Sequence, residues 1–212
     1  MNICYIACAL DCKIQISPKE DDLIIGADRG YFTLVENGIK PDVAIGDFDS
    51  YTGKIDCENT IVFPVKKDDT DSALAIKYAY EQGYKKIVVF GAIGGALDHT
   101  LANVALASRY AQLGVDISFV DGDNVLFSVC NACVCFNKDA HGRISVFSFG
   151  DTAKGVCEKG LLYELDNATL QNTVPLGVSN EFVGVPATVS VAEGTLLIYT
   201  SKFNYENCLT KE

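Results

Sequence analysis

Basic residues are scarce in this chain of 212: 17 Lys and Arg stand against 28 Asp and Glu, a formal net charge of −11. Binding to nucleic acid or to an anionic membrane begins from a surplus of cations matched to phosphate, so neither is an expected partner. No apolar run approaches the ~20 residues that cross a bilayer. The apolar opening, residues 3–10, has no basic leader before it. The expectation is a cytoplasmic protein. Internal repeats and low-complexity segments are absent as well. The nine cysteines make no regular framework, being odd in number and loosely spaced, so reduced thiols are expected. Their one dense group is Cys130, Cys133 and Cys135, with His141 six residues on, which raises zinc. Residues 129–136 nevertheless read as a strand, and a zinc knuckle needs a turn between its ligands and usually a second pair. Thiols packed as small hydrophobes are the preferred reading.

A hydrophobic fraction of 49% with 21% charged residues places the chain among globular proteins. Over the first 120 residues, short apolar runs alternate with longer helical patterns. Residues 3–9, 23–25, 43–45, 61–63, 87–90 and 115–120 read as strands, mostly unbroken by polar alternation, as in a parallel sheet covered on both faces. Helices are predicted over 31–37, 70–82 and 98–113, stopped by Gly38, Gly83 and Gly114. After residue 121 the pattern turns to β segments joined by Gly, Asp and Asn: 125–136, 143–149, 155–165, 187–191 and 195–200. The tail after Phe203 is polar and expected to fray. The predicted fold is α/β, an N-terminal mostly parallel sheet with flanking helices followed by a smaller all-β, sandwich-like domain. The turn-rich run 121–124 divides it into residues 1–123 and 124–212.

In an open parallel sheet the ligand sits beyond the carboxyl ends of the strands, so the loops that follow strands are the ones to inspect. Gly46-Asp47-Phe48-Asp49-Ser50 sets two carboxylates at i and i+2 on one side of an extended loop. Lys66-Lys67-Asp68-Asp69-Thr70-Asp71 brings three more acids to the start of a helix. Taken singly, such acids are helix caps or turn residues. Five on one sheet edge repel each other unless a cation lies among them, and hard oxygen donors without a thiolate favour Mg²⁺. The glycine-rich loop Gly91-Ala92-Ile93-Gly94-Gly95-Ala96-Leu97-Asp98-His99 lets backbone N–H groups approach a phosphate at a helix start. It is neither a Walker loop nor a dinucleotide fingerprint. His99 reads equally as a ligand to nucleotide and as a solvated first-turn histidine. Arg29, in Gly26-Ala27-Asp28-Arg29-Gly30, suits a phosphate or a plain surface position.

In this order and spacing, Ala27-Asp28-Arg29-Gly30, the Asp47 loop, Lys67-Asp68-Asp69-Thr70-Asp71, the Gly94-Gly95 loop with Asp98-His99, and Gly177-Val178-Ser179-Asn180-Glu181 resemble the thiamine pyrophosphokinase family. The resemblance covers nearly the whole chain, to about residue 200. It implies an α/β domain for ATP and Mg²⁺, a β-sandwich for thiamine, and a homodimer with active sites between subunits. It also implies the reaction, in which thiamine's hydroxyl attacks the β-phosphorus of ATP to give thiamine diphosphate and AMP. By the same resemblance Asp47, Asp49, Asp68 and Asp71 hold the metal, and the catalytic acceptor of the hydroxyl's proton is expected to be Asp71 or Asp49. Arg29, Lys67, Gly94, Gly95, Asp98 and His99 face the nucleotide, and Thr70, Ser179 and Asn180 the acceptor. One residue departs from the family pattern: Ala96 stands where an arginine is expected, leaving Arg29, Lys66 or Lys67 as the available cations. Two other readings compete. Asp47-Phe48-Asp49-Ser50 mimics the nucleophile motif of haloacid-dehalogenase phosphatases, although that motif belongs on the first strand and here two strands precede it. A nucleotide or thiamine binding protein without catalysis is the non-enzymatic alternative, and Ala96 is its best support.

Overall fold

The computed structural model of the chain describes residues 2–48, 54–64, 69–203 and 209–211. The chain divides into two compact units, Met1–Leu106 with Ile117–Gly122, and Ala107–Asp116 with Asp123–Glu212.

In the first unit, strands β1 (Ile3–Ala7), β2 (Leu23–Ala27), β3 (Val43–Gly46), β4 (Asn59–Val62), β5 (Lys86–Phe90) and β6 (Asp116–Asp121) lie in the order β6-β5-β1-β2-β3-β4. β1 pairs in parallel with β2 and β5, β2 with β3, and β3 with β4. The inner strands are apolar without alternation because both faces are covered: Cys4, Ile6, Ile25, Ala44, Ile45, Ile87 and Val89 are fully buried. Helices α1 (Gly30–Glu36), α2 (Asp71–Glu81) and α3 (Leu97–Gln112) occupy the crossovers the periodicity predicts. Thr70 caps α2 in extended conformation, its hydroxyl accepting from the Ala73 N–H at 3.2 Å, and Ala75, Ile76 and Ala79 bury one face. Gly30 lets α1 start against the end of β1, since a Cβ there would lie 2.0 Å from the Ala7 carbonyl oxygen. From β1 the chain builds outward through β2, β3 and β4, then returns to the other side of β1 as β5. The carboxyl ends of β1 and β5 therefore flank the point at which strand order reverses.

In the second unit, β7 (Asn124–Cys130), β9 (Arg143–Ser148), β12 (Gly177–Glu181) and β14 (Thr195–Ser201) lie in the order β12-β9-β14-β7. A separate sheet runs β11-β10-β13-β8-β15, from β8 (Cys133–Phe136), β10 (Thr152–Lys159), β11 (Leu165–Gln171), β13 (Ala187–Ser190) and β15 (Leu209–Lys211). Pairing is antiparallel throughout this second sheet and between β12, β9, β14 and β7. Val134, Phe136, Ile144, Val146, Val156, Val189, Leu196 and Ile198 form its core, and Phe136 meets Phe182 at 5.0 Å between ring centroids. The fold is thus mixed α/β with a mostly parallel sheet and a smaller antiparallel part.

Four segments differ from the sequence reading. The run 125–136 is two strands, because Asn131 adopts a left-handed φ of +49° and sends β7 and β8 into different sheets. β11 and β12 were not expected, being short of apolar residues; both are edge strands, and β11 buries only Leu170. The tail expected to fray returns as β15, with Leu209 opposite Phe136 on β8. In the cysteine group, Cys130 ends β7, while Cys133 and Cys135 lie half-buried on β8 beside the buried Val134 and Phe136.

Candidate active site

An open cleft of about 330 Å³ lies at the strand-order reversal of the first unit. Cys8, Ala9 and Leu10 border it after β1, Ala27 and Asp28 at the end of β2, and Gly91 and Ala92 after β5. The start of α2 contributes Thr70, Asp71 and Ser72, and the start of α3 contributes Gly95, Ala96, His99, Thr100 and Asn103. Ligands of open α/β sheets bind at such a reversal, where backbone ends and helix N-termini converge. The backbone at Asp28 is shaped for it: φ is +50°, and its N–H donates to the Ile45 carbonyl at 2.7 Å. Gly91, at φ +65°, leaves no room for a side chain, since a Cβ would stand 2.5 Å from the Leu10 carbonyl oxygen.

Of the residues singled out in the sequence, Thr70, Asp71, Gly95, Ala96 and His99 come together in this cleft. Asp47 closes the β3 turn half-buried, ahead of Phe48 at φ +54°. Gly94, at φ +91°, lies close to Asp121, whose Oδ2 would be 3.1 Å from a Cβ there. Asp98 is exposed in the first turn of α3, its Oδ1 accepting from the His99 N–H at 2.9 Å. Arg29 is not among the cleft's lining residues; its guanidinium makes a two-pronged pair with Asp11, both oxygens at 3.0 Å, on the exposed surface. Asp49, Ser50, Lys66, Lys67 and Asp68 lie outside the described residues.

Asp28 and Asp71 give the cleft two hard oxygen donors, chemistry that fits Mg²⁺ rather than a thiophilic metal. Among the described residues no three such side chains converge into a closed metal site. Burial pushes the Cys8 thiol up to about 12, with the Asp71 charge and Cys12 adding to the effect, so Cys8 is an inert wall of the cleft and no nucleophile. Sequence inspection missed Ser72 and Asn103, two buried polar residues that line the cleft. Their signal, small polar residues at helix positions facing the core, is indistinguishable in sequence from surface polarity.

In the second unit, β12 carries a bulge against β9 between Gly177 and Asn180. The bulge holds exposed Ser179 in the left-handed region at φ +60°, its N–H donating to the Ser145 hydroxyl at 3.0 Å. Bulges re-aim side chains at functional edges. Asn180 instead is buried with its amide fully committed. Its Oδ1 accepts from the Tyr163 and Glu181 N–H groups, both at 2.9 Å. Its Nδ2 donates to the Tyr163 carbonyl at 2.6 Å and to Glu158 Oε2 at 2.9 Å. An amide has two donors and two acceptor sites, so every hydrogen-bonding position of the Asn180 side chain is filled from within the protein.

Burial raises the Glu158 carboxyl above its ordinary value, opposed by the Asn180 hydrogen bond, and its Oε1 has no hydrogen-bond partner among the described residues. A raised folded-state value means that ionisation costs stability, so the cost is absent below the ordinary carboxylate pKa and complete above the raised one. Relative to the parent protein, Glu158→Gln should therefore gain unfolding free energy as pH rises through that window and stay level on either side. Chemical denaturation of both proteins across the acid range reads this directly; a difference independent of pH would show that Glu158 is not ionising while buried.

Comparison with known proteins places this geometry. The model for "Thiamin pyrophosphokinase, catalytic domain" matches residues 15–119, and that for "Thiamin pyrophosphokinase, vitamin B1 binding domain" matches residues 134–196. The chain is 32% identical to the thiamine pyrophosphokinase of Bacillus subtilis (strain 168) over 189 residues, 86% of this chain and 88% of that one. The crystal structure of a thiamine pyrophosphokinase from Bacillus subtilis is similar with a TM-score of 0.85 at 27% identity, over 96% of this chain and 100% of that one. A thiamin pyrophosphokinase from Geobacillus thermodenitrificans is similar at 0.77 and 30% identity, over 97% and 99% of the two chains.

Proposed function

The chain belongs to the thiamine pyrophosphokinase family, and on that premise we propose how its own residues carry the family reaction. It is an enzyme that transfers pyrophosphate from ATP to the hydroxyl of thiamine, giving thiamine diphosphate and AMP. The observation that carries the assignment of the site is the meeting of Asp71, Thr70, the Gly95–Ala96 turn and His99 in one cleft at the strand-order reversal. The triphosphate lies along the turn after β5 and the first turn of α3, where the backbone N–H groups of a helix start and the helix dipole favour an anion. Asp98 and His99 face the nucleotide. The thiamine oxygen attacks the β-phosphorus, the bond from that phosphorus to the bridging α–β oxygen breaks, and AMP departs with that oxygen. The hydroxyl proton passes to Asp71 or to Asp49.

Asp47, Asp49, Asp68 and Asp71 would hold Mg²⁺, which when bound would supply charge neutralisation on the triphosphate. Positioning and neutralisation are most of what such a transfer requires of a protein. The acceptor lies against Ser179, supported by the bulge in β12, with Asn180 positioning that bulge. Thiamine is a cation, and a chain of net charge −11 attracts it. Product analysis tests the assignment. Thiamine diphosphate and AMP are expected in equal amounts, whereas thiamine monophosphate with ADP would mean attack at the γ-phosphorus, and phosphate alone would mean a phosphatase.

The assembly is a homodimer with sites shared between subunits. Support comes from apolar side chains the second unit leaves in solvent: Leu162, Tyr163, Leu176, Val178, Val183 and Val185 are each at least 46% exposed. The enzyme works in the cytoplasm, where thiols such as Cys4, Cys8 and Cys12 stay reduced. Among the described residues no helix is long and apolar enough to cross a membrane.

Ala96, exposed on the cleft wall, stands where the family pattern carries an arginine. Restoring it by Ala96→Arg should tighten ATP binding about tenfold or more, the effect of one well-placed charge-assisted contact. Calorimetric titration with ATP measures this, and unchanged affinity would show that another cation already fills the role.

A further inference from the structure

We propose that Asn103 is a positioning residue for pyrophosphoryl transfer, locking the start of α2, and with it Asp71, against the loop after β5. The proposal rests on the cleft being the ATP site. Asn103 and Ser72, at the floor of the cleft, are 3% and 9% exposed. Asn103 Nδ2 donates to the Ala92 carbonyl at 2.6 Å. Because a carbonyl can only accept, that bond fixes the amide's orientation, and its Oδ1 accepts the Ser72 hydroxyl at 2.8 Å. Ser72 has one proton and spends it there, so in the 3.0 Å contact between Ser72 and Thr70 it is Thr70 that donates. Thr70 then keeps its lone pairs for the Ala73 N–H that it caps.

Every polarity in this chain follows from its fixed end at Ala92. One buried amide therefore joins three pieces of the cleft: the turn after β5, the first turns of α3, and the cap of α2. Asp71 lies between Thr70 and Ser72, both members of the chain. Loss of the amide removes its bonds to the buried Ala92 carbonyl and to the Ser72 hydroxyl, which then keeps only Thr70, and frees the cap to shift. Groups that orient a catalytic carboxylate from behind commonly matter almost as much as the carboxylate itself.

Asn103→Leu leaves the buried Ala92 carbonyl without its amide partner and threatens folding, so Ser72→Ala and Asn103→Asp carry the test. For each, turnover is measured together with the affinity for Mg²⁺ and α,β-methylene-ATP, an analogue with no cleavable α–β bridge. In both, turnover and analogue affinity should fall about tenfold or more while the KM for thiamine stays within about twofold. Asn103→Asp adds a second reading. An ionised carboxyl there opposes the Ala92 carbonyl, while a protonated one can donate to it, so its turnover relative to the parent should rise as pH falls. Asp28, Asp71, His99 and Cys8 face the same cleft, which is why the profile is taken as a ratio.

Folded variants with parental affinity and turnover would overturn the proposal. So would losses that merely follow a lowered melting temperature and vanish at temperatures where the variant is folded. Asp71→Asn, run alongside, separates the levels. If it is impaired while Ser72→Ala and Asn103→Asp are not, only the role of Asn103 fails; if it is fully active, the reading of the cleft fails too.

Discussion

Replacing Asp71 by asparagine should lower turnover by at least ~100-fold without unfolding the protein, because a carboxylate that bridges metal and reacting groups acts mainly in the transition state. Asp71 sits in the first turn of α2 and lines the cleft, so the isosteric change spares the helix. The cap belongs to Thr70 and is untouched. Removing divalent metal from the parent enzyme should abolish turnover in the same way, and Mg²⁺ or Mn²⁺ should restore it. Steady-state kinetics with circular dichroism on the same samples check both. Near-normal turnover of folded Asp71→Asn protein would remove Asp71 from the chemistry.

Mixing two inactive proteins should regenerate activity. Asp71 belongs to the first unit and Ser179 to the second, and we propose that they meet across a two-fold dimer. Subunits carrying Asp71→Asn, combined with subunits carrying Ser179→Ala and Asn180→Ala, form mixed dimers in about half of random pairings, each with one intact site of two. Up to about a quarter of parental activity should return. Mass spectrometry of the mixture confirms exchange of subunits. A mixture as inactive as its parents despite exchange would mean that each chain supplies its whole site.

How far the sequence discloses these features depends on what burial demands of each segment. β1, β3 and β5 are legible because a strand covered on both faces must be apolar throughout, and α2 and α3 because one face of each must be. β11 and β12 sit at sheet edges, so little of either needs burying and their polar sequences carry no strand signal. The cleft residues Asp71, Gly95 and His99 are legible because loops that follow parallel strands are few and their chemistry is unusual. Asn180 is legible as a motif residue, but its role is not. Only coordinates show that all four of its hydrogen-bonding positions are filled from within the protein. Asn103 is hidden for a related reason, because the carbonyl that orients it lies 11 residues away in a turn.

AMP release from ATP, measured with and without thiamine in the presence of Mg²⁺, bears most directly on the central claim. AMP should form only when thiamine is present, one for each thiamine diphosphate made, and Asp71→Asn protein should form almost none. AMP or phosphate released at the same rate without thiamine, or thiamine phosphorylated with ADP as the co-product, would contradict it.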